Sequence, residues 1–249
     1  VSAQEKFIFI SGGSRGIGRA ITLSEAKNGT VFFLNYLRDE ESAENVKKEA
    51  EKKGAKVHLL PGNIGDPEVI ASLFKDIGQK TDRLDALIHN AALGVFKPVH
   101  ELRVKDWEIS LDVNAKALLL LSQAALPLMK MQGGKIIAVS SLGSHRFTPN
   151  YGAIGISKAA LESLVKYLAV ELAPHQIHVN AVSSGLIETN SLKSFPNIDL
   201  MKKEFLNRSL GKRLGAPEDI AQVVSFLLSP DSNWIYGQTL IADGGYSLF

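Results

Sequence analysis

FIFISGGSRGIG, residues Phe7 to Gly18, is the stretch that decides the fold. Phe7-Ile8-Phe9-Ile10 is a short apolar run with aromatic and β-branched side chains, and reads as a buried strand. Ser11 to Gly18 places glycines where a chain must turn tightly and approach a ligand closely. A helix follows from Gly18 to about Asn28, where Asn28-Gly29 ends it. Such a turn offers free N–H groups and the positive end of a helix dipole, which suits a pyrophosphate. The flanking strand and helix supply the context that a lone glycine pattern lacks. The alternative is a glycine-rich turn that binds nothing.

The same alternation continues outward. Strands are expected over 31–36, 56–60, 84–89, 135–139, 176–182 and 239–242, and helices over 40–53, 67–80, 151–173 and 217–228. Asp66 is a plausible cap for the helix that opens at Pro67. A helix near Val104 precedes a long one from about Val113. Strands alternating with helices at this spacing imply a parallel sheet with helices on both faces. No break suggests a second domain, so residues 1–249 read as a single domain.

Composition narrows the function. Net charge is +2, so nothing global points to nucleic acid. The absence of cysteine excludes disulfides, thiolate catalysis and cysteine-ligated zinc, and fits a reducing, cytoplasmic setting. Val1 to Lys6 is short and polar, unlike a signal peptide. The most apolar helix, Val113 to Met131, carries Asn114, Lys116, Ser122, Gln123 and Pro127, so it reads as buried rather than membrane-spanning.

The second strand bears on the nucleotide. It ends Asn35-Tyr36-Leu37-Arg38, with no carboxylate until Asp39. A carboxylate there would hold a ribose 2′-hydroxyl, whereas Arg38 and Arg15 suit a 2′-phosphate. NADPH is therefore the expected cofactor. Two solvated surface arginines are the competing reading.

The chemistry is expected where the fifth strand ends in Ser140-Ser141 and a following helix carries Tyr151 and Lys158. A hydroxyl, a phenol and an amine meet there at the end of a sheet. With SGGSRGIG, His89-Asn90-Ala91-Ala92, Asn114, Val179-Asn180-Ala181-Val182 and Asp243-Gly244-Gly245, nearly the whole chain resembles the short-chain dehydrogenase/reductase family. The resemblance implies an α/β fold, a single-domain Rossmann-type doubly wound parallel sheet of about seven strands. It implies nucleotide contacts from Gly12, Ser14, Arg15, Gly16, Ile17, Gly18, Arg38, Asn63, Ile64, Asn90, Ala91, Gly94, Lys158, Gly185, Ile187 and Thr189. It also implies a homotetramer.

Three departures stand out. His89-Asn90-Ala91-Ala92 replaces Asn-Asn-Ala-Gly, and Ser184-Gly185 replaces Pro-Gly. The third concerns the phenol. The family pattern is Tyr-x-x-x-Lys, yet the residue four before Lys158 is Ile154, and the nearest phenol is Tyr151, giving Tyr-x6-Lys. That spacing, with SSLGS, SKAALESL, YLAVELAP and GLIETNSLKSFPN around it, resembles the enoyl-acyl carrier protein reductase III type within the family.

On a helix, moving Tyr from four to seven residues before Lys keeps its face and shifts it by about 4.5 Å along the axis. An enoyl thioester accepts hydride at C3 while charge gathers on the oxygen at C1, so its acid must sit farther from the nicotinamide than a ketoreductase's. Tyr151 is accordingly expected to stabilise the enolate oxygen. Lys158 is expected to bind the nicotinamide ribose and favour the ionised phenol. The resemblance gives Asn114 a place in the proton path. Ser141 either touches the substrate oxygen or caps the strand end.

Residues 183–216 form a long excursion whose apolar side chains (Leu186, Leu192, Phe195, Leu200, Met201, Phe205 and Leu206) suit a cover for an acyl chain, either a moving lid or a fixed subdomain. Lys193, Lys202, Lys203, Arg208, Lys212 and Arg213 form either a docking patch for an acidic acyl carrier protein or a solvated face. Ala159, Ala160, Ser163, Leu164, Tyr167 and Leu168 suit either a subunit interface or a core stripe. The expected activity is NADPH-dependent enoyl-acyl carrier protein reduction in fatty acid synthesis. Its rivals are a 3-ketoacyl or other carbonyl reductase and a catalytically silent nucleotide-binding sensor.

Overall fold

The computed structural model describes residues 5–248. The reading of the short polar lead therefore falls largely outside the described residues. Seven parallel strands are ordered β3-β2-β1-β4-β5-β6-β7: β1 (Lys6–Ser11), β2 (Thr30–Tyr36), β3 (Lys56–Pro61), β4 (Ala86–His89), β5 (Gly134–Ser141), β6 (Ile177–Ser184) and β7 (Thr239–Ala242). Eight α-helices connect them: α1 (Gly16–Glu25), α2 (Glu40–Lys52), α3 (Pro67–Gly78), α4 (Val104–Leu111), α5 (Ala117–Met129), α6 (Gly152–Leu172), α7 (Ile198–Arg208) and α8 (Pro217–Leu228).

Side chains alternate across each strand, and that alternation builds two cores. Phe9, Phe33, Leu87, Ile136 and Ala138 join α3, α5 and α6 on one face. Ile8, Ile10, Phe32, Leu34, Ile88, Ile137 and Val139 join α1, α2 and α8 on the other. The helical run Val104–Met129 is long and apolar enough to cross a membrane. Its apolarity has a place here: Leu118, Leu121, Ala125 and Met129 are fully buried in the first core.

Strand order reverses direction at the β1–β4 boundary, which is where open α/β sheets form their crevice. Asp66 does cap α3, accepting from the Glu68 N–H at 2.9 Å. Two boundaries differ from expectation in ways that matter. β5 runs on through Ser140-Ser141, since both pair with Ser183 and Ser184 of β6. The central helix starts at Gly152, which leaves Tyr151 as its N-cap residue.

Candidate active site

The crevice is latched by the ends of β1 and β4. The Ser11 hydroxyl oxygen accepts the N–H groups of Asn90 (3.1 Å) and Ala91 (3.2 Å) and lies 3.0 Å from His89 Nδ1. The other ring nitrogen, Nε2, lies 3.1 Å from the Asn114 carbonyl. A carbonyl only accepts, so Nε2 carries the proton and Nδ1 accepts from Ser11. Burial, with Lys158 nearby, lowers the His89 pKa to about 3, so the ring is neutral.

The glycine turn fits a dinucleotide. Gly12 and Gly16 have φ of +64° and +53°, and a Cβ on Gly12 would sit 2.9 Å from Ala91 Cα. Only glycine meets both conditions without strain. The N-cap of α1, Arg15, makes no side-chain capping bond, which leaves the first-turn N–H groups to a ligand. Gly18 plays a different part from the expected one. It does not line the cavity at this crevice, and a Cβ there would lie 2.1 Å from the Gly12 carbonyl oxygen, so it serves the packing of the turn.

From this turn a cavity of about 1150 Å³ runs across the strand ends. Gly12, Ser14, Arg15, Gly16, Ile17, Arg38, Asn63, Ile64, Asn90, Ala91, Lys158, Gly185, Ile187 and Thr189 line it, together with Ser141 and Tyr151. Arg15 and Arg38 are exposed at one end. The carboxylate of Asp39 is engaged as the α2 cap, accepting from the Ser42 N–H (3.0 Å) and hydroxyl (2.7 Å). It is thus held away from the role of a free ribose acceptor.

Tyr151 is fixed by an arrangement that strand and helix periodicity did not reveal. Asn150 takes a left-handed turn, φ 60°, into the cap. The phenol donates to Ser141 Oγ at 3.2 Å, and that oxygen also accepts the Gly143 N–H at 3.3 Å. The ring lies flat enough on Gly143 that a Cβ there would be 2.4 Å from Tyr151 Cδ1. Phe195 (5.6 Å between centroids) and Phe96 (6.0 Å) wall it in. Ser141 therefore both caps the turn and holds the phenol.

Lys158 donates to the Val139 carbonyl at 2.6 Å. Burial lowers its pKa to about 8, against a raising influence from Glu162. The expectation that Lys158 favours the ionised phenol is corrected here. The Tyr151 pKa is raised by burial, opposed only by the Ser141 bond. In this state the phenol is a protonated donor.

Ile154, at the family's tyrosine position, points away from the cavity: a Cβ on Gly94 would lie 2.3 Å from Ile154 Cγ1. Gly94 thus makes room for Ile154 and does not line the cavity as expected. Asn114 also lies outside the cavity and is fully buried. It sits on a π turn (Asp112–Lys116), bonds Leu93 in both directions at 2.9 Å and donates to Ser157 Oγ at 2.8 Å. It pins the loop that carries Phe96.

In the excursion, Leu186, Leu192, Phe195, Met201 and Phe205 line the cavity, whereas Leu200 and Leu206 face solvent. The basic cluster is not one free face: Arg213 forms a two-pronged pair with Asp219 at 2.6 and 2.7 Å.

Known proteins are similar to this chain in sequence and fold. The family described as Enoyl-(Acyl carrier protein) reductase matches residues 12–247. A 1-cyclohexenylcarbonyl-CoA reductase of Streptomyces collinus is 38% identical over 96% of this chain and 86% of its own. A 3-oxoacyl-[acyl-carrier-protein] reductase FabG of Thermotoga maritima is 33% identical over 96% and 97%. The Bacillus cereus enoyl-acyl carrier protein reductase, solved with NADP+ and indole naphthyridinone, superposes with a TM-score of 0.89 at 26% identity, covering 99% of this chain and 98% of that one.

Proposed function

Since the chain belongs to the short-chain dehydrogenase/reductase family of NAD(P)H-dependent oxidoreductases, we propose that it reduces the 2,3-double bond of an enoyl thioester with NADPH. The observation that carries this reading is the exchange at the head of α6. Ile154 is buried against Gly94, and the phenol bonded to Ser141 in the cavity is Tyr151, held at the helix cap.

NADPH, when bound, supplies the hydride. Gly12, Ser14, Gly16 and Ile17 would hold its pyrophosphate against the α1 N-terminus, and Arg15 and Arg38 its 2′-phosphate. Asn63 and Ile64 would flank the adenine, and Asn90, Ala91, Gly185, Ile187 and Thr189 the nicotinamide half. Lys158 would hydrogen-bond the nicotinamide ribose.

Tyr151 Oη donates to the thioester oxygen as negative charge gathers there. A protonated, partly buried phenol suits that role, because a donor in a water-poor site stabilises charge more strongly than one in water. Ser141 Oγ holds the phenol in line and takes up its bond when no substrate is present. Asn114 acts at a distance, by fixing the loop that brings Phe96 over Tyr151.

The carrier in this reading is acyl carrier protein, in fatty acid synthesis; the Streptomyces relative's name brings coenzyme A as the alternative. The exposed stripe of Ile156, Ala160, Ser163, Tyr167 and Val170 on α6 supports a homotetramer. A cytoplasmic, soluble setting goes with these substrates. The second reading is a 3-ketoacyl reductase, favoured by the likeness to the Thermotoga enzyme. Assay of crotonyl against acetoacetyl thioesters with NADPH separates them. The proposal expects turnover of the crotonyl ester, and turnover of the acetoacetyl ester alone overturns it. Tight NADPH binding with no turnover of either would mark a silent sensor.

A further inference from the structure

Two neighbouring residues of β5 are tied to two successive turns of α6. Lys158 donates to the Val139 carbonyl at 2.6 Å. Ser140, the next residue, donates from Oγ to Glu162 Oε1 at 2.5 Å. Lys158 and Glu162 are four residues apart, so they share a helix face. Side chains on a helix lean toward its N-terminus, and Glu162 thereby reaches back toward the turn that carries Lys158. Ser141, which follows Ser140, holds the phenol of Tyr151. The Glu162 bond thus ends on the strand segment from which both active-site groups are aimed.

This bond lies in polar company on an otherwise apolar face. Ile136, Ala138, Val179 and Ala181 belong to the core packed under α6. Ser140 is buried among them. Ser183, its register partner on β6, is fully buried and has no hydrogen-bond partner for its Oγ among the described residues. Glu162 is half-buried and also lines a surface hollow with Lys166, Tyr236 and Gln238. Lys158 is buried, and a buried ammonium is costly without an opposite charge near it. Glu162 supplies that charge, the influence that opposes burial and raises the Lys158 pKa.

We propose that Glu162 is a positioning residue for Lys158: anchored by Ser140, its carboxylate keeps the lysine an ammonium that holds the nicotinamide ribose. The inference rests on the reading of Lys158 as the ribose ligand. Glu162 lies outside the wall of the catalytic cavity, so it acts through Lys158. The titratable groups around Lys158 are well separated. His89 on β4 has a pKa of about 3, and burial raises the Tyr151 phenol above its ordinary 10. An alkaline limb below that range therefore belongs to Lys158, whose pKa burial lowers to about 8.

The test is the pH dependence of Glu162→Gln, whose amide oxygen still accepts from Ser140. The reading is kcat/KM for a crotonyl thioester at saturating NADPH, from about pH 6 to about pH 9.5. The alkaline limb should move to lower pH by about half a unit, so that the loss grows with pH to about threefold above the midpoint. Ser140→Ala releases the carboxylate but keeps its charge. It should move the limb the same way by less, and it decides the matter should Glu162→Gln not fold. A limb at the wild-type pH in both variants overturns the proposal. So does a loss that is equal at every pH, the mark of a purely structural role. NADPH affinity, followed by fluorescence over the same range, is a readout without turnover and should show the same growing loss. If no enoyl thioester is reduced, the functional reading fails, and NADPH affinity still decides the role of Glu162.

Discussion

Gly143→Ala isolates the placement of the phenol. The residue's φ lies outside the left-handed region, so its backbone accepts alanine, and the new Cβ acts through what it touches. That Cβ would lie 2.4 Å from Tyr151 Cδ1 and 2.5 Å from Cε1. Carbon atoms in contact sit about 3.5–4.0 Å apart, so the ring must withdraw by about 1 Å. It would withdraw against Phe195 and Phe96, which wall the ring in. A misplacement of about 1 Å at a reacting group costs on the order of 100-fold, or roughly 2.7 kcal/mol of barrier. The assay is kcat/KM for crotonyl thioester at saturating NADPH, with melting temperature and nucleotide affinity measured beside it. The expected result is a loss near 100-fold in a folded protein that still binds NADPH. A folded variant within threefold of wild type would refute the claim that Gly143 sets the phenol's position.

Tyr151→Phe should abolish enoyl reduction while NADPH binding, followed by fluorescence, stays intact; retained turnover removes Tyr151 from the chemistry. Arg38→Gln should weaken NADPH about tenfold or more and leave NADH nearly unchanged; an equal loss for both nucleotides would contradict the 2′-phosphate contact. His89→Asn tests the buried neutral ring. With its folded pKa near 3, below the ordinary 6.5, the unfolded chain binds the extra proton first, so His89 removes stability as pH falls from about 6.5 toward 3. The slope is about 1.4 kcal/mol per pH unit. Urea denaturation across that range should be flatter for the variant than for wild type, and identical slopes would show that His89 is not held neutral.

Regular alternation made the sheet legible. Phe7 to Ile10 and SGGSRGIG gave a strand, a turn and a helix from local rules alone, and the other strands followed as short apolar runs alternating with helices. Most of the residues that the family resemblance gave to the nucleotide line the cavity at the strand ends. Contacts between segments far apart in the chain were not legible. Gly143 differs from any loop glycine only because Tyr151 lies against it. The change to His89 looked mild, yet that ring joins Ser11 to the Asn114 carbonyl, 78 and 25 residues from it along the chain. The helical reading of Tyr151 was off by one position with a physical consequence: as a cap it is free of the helix's fixed direction and is aimed by Asn150, Gly143 and Ser141 instead. Gly94 was assigned to the cofactor because a loop glycine carries no sign of the side chain it accommodates, here Ile154.

The position of the phenol relative to the thioester is the heart of the matter, and a crystal structure of the ternary complex with NADP+ and a crotonyl thioester measures it directly. Tyr151 Oη should stand about 2.6–3.2 Å from the thioester oxygen, with C3 of the acyl group over the nicotinamide. A Tyr151 ring turned away from the substrate, with another group holding that oxygen, would contradict the proposed chemistry.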